Sequence, residues 1–141
     1  MEYKLRKCTE NDYAFCHKVT KVNMYHLFCR HWGGWVQSEF RKGFVCENIR
    51  IILSSQKPIG YICQKDDGNS VYLDNIQLLP QYQNQGIGTR VLNDFMAEYP
   101  KSTTFRLTTF EDNPAKKLYE RLGFRVIERK KNGMIMERPA K

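Results

Sequence analysis

The sequence contains no apolar run approaching the roughly 18 residues that a membrane span needs. Its opening Met-Glu-Tyr-Lys-Leu-Arg also lacks the charged-then-apolar layout of a secretory signal. A cytoplasmic protein is the expectation that follows. Cys-x-x-Cys spacing is absent too, and the five cysteines (Cys8, Cys16, Cys29, Cys46, Cys63) are odd in number. This argues against a disulfide framework or a thiolate zinc site, and for free buried thiols. His26, Cys29 and His31 lie near one another in sequence, but no fourth ligand accompanies them, so no metal is expected. Acidic residues are scarce beside basic ones: 15 Asp and Glu stand against 23 Lys and Arg, a net charge of +8. That balance favours an anionic partner such as nucleic acid, acidic lipid or a phosphorylated cofactor. Basic residues interleaved with aromatics along one strand face are missing, which argues against a nucleic-acid surface.

What is present suffices for one folded domain over 1–141, with 41% hydrophobic and 13% aromatic residues and neither linker nor internal repeat. Tyr3 to Lys7 reads as a strand. Thr9-Glu10-Asn11-Asp12 has capping-box spacing and predicts a helix starting there, with Phe15, Val19 and Val22 as its core stripe. Gly33-Gly34 ends that helix, and Trp35 to Phe44 reads as a second, short one. Ile49–Leu53, Ile59–Gln64 and Val71–Leu79 are strand-like, the last two joined by a hairpin turn through Asp66-Asp67-Gly68-Asn69. Beyond Pro80 the period becomes 3.6, with Ile87, Val91, Leu92, Phe95 and Met96 on one helical face. A strand over Thr103–Thr109 follows. Asn113 as N-cap, Pro114 at the first helical position and Gly123 as the stop then punctuate a helix whose apolar face is Ala115, Leu118, Tyr119 and Leu122. Phe124–Glu128 and Met134–Arg138 close the chain as a hairpin through Lys131-Asn132-Gly133. The order is β-α-α-β-β-β-α-β-α-β-β, an α+β arrangement.

Two segments carry chemistry. In Ile76-Gln77-Leu78-Leu79-Pro80-Gln81-Tyr82-Gln83-Asn84-Gln85-Gly86-Ile87-Gly88-Thr89, a strand enters a glycine loop that runs directly into a helix N-terminus. Converging amides and the helix dipole there suit a phosphate or pyrophosphate, although glycine also serves ordinary tight turns. Neither the P-loop lysine nor the Gly-x-Gly-x-x-Gly spacing is present, which argues against nucleotide hydrolysis and a Rossmann site. The second segment is Asn113-Pro114-Ala115-Lys116-Lys117-Leu118-Tyr119-Glu120-Arg121-Leu122-Gly123-Phe124, in which Tyr119 by itself reads as a core aromatic with a wet hydroxyl.

Taken together, Leu78-x-Pro-x-Tyr-Gln83-x-x-Gly86-x-Gly88-Thr and Asn113-x-Ala-x-x-Leu-Tyr119-x-x-x-Gly123-Phe124 resemble the GNAT superfamily of acyl-CoA-dependent N-acyltransferases. The resemblance implies that family's fold, a mixed, mostly antiparallel twisted sheet flanked by about four helices. It implies acetyl-CoA as cofactor, with Gln83, Asn84, Gln85, Gly86, Ile87, Gly88 and Thr89 on its pyrophosphate. Ile76, Gln77 and Leu78 would be the splayed strand whose backbone pairs with the pantetheine arm. Asn113 would contact the cofactor, and Tyr119 would be the general acid toward the departing thiolate. Arg90, Lys116 and Lys117 fall near the phosphate end in this scheme.

A base is harder to place, because the position where some members carry a glutamate, five residues before the asparagine-led helix, is Thr108. Asp74, in the strand before the loop, is the first candidate, with Glu39 and His26 behind it. Tyr25, His26, Trp32, Trp35 and Glu39 would line the acceptor side, where aromatic walls and one carboxylate suit a cationic amine. The implied function is acetyl transfer to a small-molecule or peptide amine by direct attack in a ternary complex. A homodimer stays open, and neither nucleic acid nor membrane is expected as a partner. The alternative is a non-catalytic CoA-binding module of the same fold.

Overall fold

The computed structural model describes residues 2–68, 70–131 and 133–141. In chain order the elements are β1 (Lys4–Lys7), α1 (Tyr13–Trp32), α2 (Gln37–Gly43), β2 (Ile49–Ser54), β3 (Lys57–Asp67), β4 (Ser70–Leu78), α3 (Ile87–Ala97), β5 (Thr104–Thr109), α4 (Ala115–Arg121), β6 (Arg125–Lys130) and β7 (Gly133–Arg138). The strands form a sheet of order β1-β2-β3-β4-β5-β7-β6. The pairs β1–β2, β2–β3, β5–β7 and β6–β7 are antiparallel, and β4–β5 is parallel. Two packed units share the chain, Met1–Cys63 with Asn75–Gln83 and Gln64–Asp74 with Asn84–Lys141, so β3 and β4 each contribute to both.

The first unit is built on Cys8, Cys16, Val19, Phe44, Ile49, Ile51, Tyr61 and Cys63, with Tyr13, Phe15, Phe40 and Leu79 packed against them. The capping box forms, with the Thr9 N–H donating to Asp12 Oδ2 at 2.9 Å. It closes a 3₁₀ turn over Glu10–Asp12, however, and α1 begins only at Tyr13. Arg6 explains the delay, since this β1 residue grips both Asp12 oxygens at 2.8 Å and anchors the turn to the strand before the helix starts. The expected stripe of α1 holds at Val19, which is buried, and at Phe15, which packs against the core, but not at Val22. Val22 is 55% exposed, and the buried side chains are Cys16, Val19, Thr20 and Leu27. Thr20 tolerates burial because its hydroxyl donates to the Cys16 carbonyl at 2.7 Å and meets the Tyr61 hydroxyl at 2.6 Å.

Gly33, at φ +80°, stops α1 as predicted, and α2 is shorter than the span Trp35–Phe44. A hairpin joins β2 to β3 through Ser55 and Gln56, both at positive φ without an Asn-Gly signal. The strand expected over Ile59–Gln64 extends to Lys57–Asp67. Asn69 of the next expected turn, and Asn132 of the last one, lie outside the described residues. Of the cysteines, Cys8, Cys16 and Cys63 are buried free thiols, whereas Cys29 is exposed and Cys46 half-buried.

In the second unit the predicted apolar face of α3, Ile87, Val91, Leu92, Phe95 and Met96, is buried throughout. Phe95 packs edge-on against Phe105 and Tyr99 with ring centres 5.8 and 5.5 Å away. The alternating burial of β5 puts Phe105 and Leu107 in the core beside Met134 and Met136 of β7.

Candidate active site

The second unit holds the glycine loop. Asn84 stands at φ +61° and Gly86 at φ +83°, so the chain turns twice through left-handed backbone just before α3. Gly86 is the N-cap, its carbonyl accepts the first helical bond from Arg90 at 3.1 Å, and no side chain caps this end. The amides of the first turn, Ile87, Gly88 and Thr89, therefore have no intrahelical acceptor, and the first turn carries no acidic residue to compete with a bound anion. A Cβ built on Gly86 would meet nothing within 4 Å, so the space over the loop is open. An uncapped helix start preceded by left-handed turns fits a phosphate.

Asn113 and Tyr119 lie in the same unit. Asn113 Oδ1 accepts from the Ala115 N–H at 3.0 Å, and its Nδ2 donates to Thr109 Oγ1 at 2.9 Å. It thus caps the start of α4 and ties it to the end of β5, leaving one amide hydrogen for a ligand. The helix closes as a Schellman motif: Phe124 N–H bonds the Tyr119 carbonyl at 3.0 Å, Gly123 N–H bonds Glu120 at 3.1 Å, and Gly123 sits at φ +97°. That geometry buries the Tyr119 ring against Phe124, with centroids 6.0 Å apart. Burial pushes the phenol up to about 12. Among the described residues no fully buried side-chain oxygen lacks a partner and the Tyr119 hydroxyl has none, so that oxygen keeps slight solvent contact at the edge of a buried ring.

Asp74 is also here. Among the described residues, β4 and β5 pair over Ser70–Tyr72 and Thr104–Arg106. Past that point the Tyr72 hydroxyl donates to Thr108 Oγ1 at 2.6 Å, and Asp74 follows two residues on along the same strand face. Lys65 Nζ lies 4.0 Å from its Oδ1. Lys116 is partly neutralised by Glu111 at 3.4 Å, whereas Lys117 and Arg90 are exposed.

The remaining candidates belong to the first unit. Ile76 and Leu78 are half-buried in β4 and Gln77 is buried. Gln83 does not extend toward solvent: its Nε2 donates to Leu78 O at 2.9 Å and to Asn23 Oδ1 at 3.1 Å. Of the expected acceptor residues, Trp32 and Trp35 both pack against Phe28, with centroids 4.6 and 5.0 Å from it. Tyr25 and His26 are exposed on α1, and Glu39 is exposed on α2 beside Lys42 at 3.3 Å. Sequence reasoning missed His17, whose Nε2 accepts from Trp35 Nε1 at 3.1 Å while its ring sits among Tyr13, Trp35 and Phe40. Burial, helped by Lys21, holds the His17 pKa below 6.5, consistent with a neutral acceptor. It also missed Asn23 and Asn75. Both are half-buried and bonded to residues distant in sequence, which spacing does not mark.

A family model described as an acetyltransferase (GNAT) domain matches residues 39–126. No curated protein sequence matches the chain. Among solved structures, a PaiA N-acetyltransferase from Thermoplasma acidophilum in complex with coenzyme A is similar at 20% identity and TM-score 0.76, covering 99% of each chain. Ard1 from Thermoplasma volcanium is similar at 13% identity and TM-score 0.77, over 98% of this chain and 97% of that one. The ribosomal-protein-S18-alanine N-acetyltransferase from Escherichia coli is similar at 22% identity and TM-score 0.67, over 99% and 95%.

Proposed function

Because the chain belongs to the GNAT acetyltransferase domain family, we propose that it is an N-acetyltransferase that moves an acetyl group from acetyl-CoA to a primary amine. The observation that carries this reading is the loop Asn84–Gly86 opening an uncapped α3, a geometry that suits a phosphate, within the segment that the family model matches. Acetyl-CoA supplies an activated acetyl thioester. On this reading the amides from Asn84 to Thr89 hold its pyrophosphate, and the backbone of Ile76–Leu78 receives the pantetheine arm. Tyr119 keeps its proton at any working pH, because its phenol is pushed up to about 12. It is thereby a donor for the departing thiolate, with Asn113 holding the start of its helix. Asp74, just past the last paired position of β4, takes the proton that an ammonium must lose before it can attack. Tyr25, His26, Trp32, Trp35 and Glu39 form the acceptor side.

Attack is direct. Burial pushes the Cys8 thiol up to about 12 and raises Cys16 further, so neither is a thiolate nucleophile at neutral pH. Thr108, hydrogen-bonded to Tyr72 where some relatives carry a glutamate, favours one other reading, a domain that binds CoA without turnover.

Thermal unfolding with and without acetyl-CoA tests the site. At 100 times the dissociation constant the midpoint should rise by about 5–10 °C. Gly86→Asp should abolish that rise by placing a carboxylate and a strained Cβ in the loop. Unchanged protection in the variant overturns the assignment. Release of CoA thiol across a panel of small amines, polyamines, amino acids and peptide N-termini then separates an enzyme from a binding module.

A further inference from the structure

Within the first unit, six side chains form one hydrogen-bonded line in which every bond runs the same way. Gln83 Nε2 donates to Asn23 Oδ1 at 3.1 Å, Asn23 Nδ2 to Gln77 Oε1 at 3.0 Å, and Gln77 Nε2 to Asn75 Oδ1 at 2.8 Å. Asn75 Nδ2 donates to the Tyr61 hydroxyl at 2.9 Å, and Tyr61 and Thr20 meet at 2.6 Å. Thr20 spends its proton on the Cys16 carbonyl at 2.7 Å, so Tyr61 must be the donor to Thr20. The direction of the line is therefore set from its far end. Flipping any one amide would oppose two like atoms on each side, and aligned bonds of this kind strengthen one another.

The line converges on one backbone atom. The Leu78 carbonyl, at the end of β4, accepts from both Asn23 Nδ2 at 2.7 Å and Gln83 Nε2 at 2.9 Å. Asn23 thus uses both of its amide hydrogens on Gln77 and Leu78 at the end of β4, and its oxygen on the residue that precedes the glycine loop in sequence. Amides do not relay protons as hydroxyls do, so the line is a frame for geometry and not a proton wire.

We infer that Asn23 is a positioning residue for coenzyme binding, acting through Leu78 and Gln83 and touching no ligand itself. The inference rests on the function proposed above and adds a residue that no motif contains. Asn23→Asp replaces the donor of two bonds by an acceptor and turns it against Gln77 Oε1 and Leu78 O, while still accepting from Gln83. Asn23→Ala removes all three bonds without that repulsion. Calorimetric titration with coenzyme A should show affinity falling at least 10-fold in Asn23→Asp and several-fold in Asn23→Ala. A core control of similar stability loss, Ile51→Val in β2, should leave affinity at the wild-type value, which separates positioning from general destabilisation. Gln83→Ala should weaken binding as well, and the double variant Asn23→Ala/Gln83→Ala should be no weaker than the worse single variant, because the two act through one arrangement. If Asn23→Asp does not fold, the Ala pair carries the test alone. Wild-type affinity in Asn23→Ala, or full additivity in the double variant, overturns the inference. A wild-type chain that does not bind coenzyme A overturns the proposed function instead.

Discussion

On the proposed function, Tyr119 would be structural and chemical at once. Its ring is buried by the end of α4 and its hydroxyl has no partner among the described residues, so the burial that packs the ring also raises the phenol. Tyr119→Phe keeps the ring and should lower kcat about 10- to 1000-fold, with acetyl-CoA affinity and the neutral-pH melting temperature close to wild type. The pKa shift has a second consequence at high pH. The folded-state value, about 12, lies above the ordinary 10. The associated stability is therefore fully present below pH 10 and is lost as pH rises toward 12, where the unfolded chain ionises and the folded chain resists. A difference of that size corresponds to at most about 2–3 kcal/mol. The variant should lack that component, so the stability gap between the two proteins, followed by denaturant unfolding from pH 8 upward, should change in the variant's favour. Equal slopes would show that Tyr119 is less enclosed than its burial indicates.

Among the elements, β3 and β4 depend on a glycine that no motif marks. A Cβ on Gly60 would collide with the Gln77 carbonyl oxygen and lie 2.9 Å from Leu78 Cδ2, and the Leu79 N–H bonds Ile59 O at 2.8 Å alongside. Two backbones approach there more closely than any side chain permits. Gly60→Ala should therefore cost about 2–3 kcal/mol and lower the melting temperature by about 5–10 °C. Gly43→Ala, with nothing within 4 Å, should change it little. Differential scanning calorimetry on the pair checks this. Equal midpoints would mean that β4 yields to the added methyl group, in which case the frame around Leu78 is softer than its hydrogen bonds imply.

For the whole molecule, the net charge of +8 is the property that bears on the proposed coenzyme. Phosphate binding assisted by this field weakens as salt screens it over about 10 Å at 0.1 M. Raising salt from about 0.05 to 0.5 M should weaken CoA binding several-fold while the melting temperature of the protein alone shifts less. The exposed ion pairs, such as Lys42–Glu39, contribute little to stability and so lose little to screening. A salt-independent CoA affinity would assign binding to the pantetheine contacts of β4 in place of the glycine loop.

Local chemistry made much of this protein readable from its residues alone. Glycines and a proline-led cap act within a few residues, so the glycine loop, the ends of α4 and the apolar face of α3 follow from spacing. The order of strands and helices follows as well, as does the family resemblance built on those two segments. Spacing could not foresee Thr20 buried and Asn23 half-buried on α1, because both rely on Tyr61 and Gln77, distant in sequence, to bond them. It could not place the Thr9 box in a turn ahead of the helix, which Arg6 of β1 decides. Nor could it show that Gln83 turns inward or that β4 and β5 part after Tyr72, since both depend on hydrogen bonds made across elements. Periodicity reports which residues can be buried. Only the packed structure supplies the partners that allow a polar side chain to be buried, and here those partners hold the frame at the end of β4.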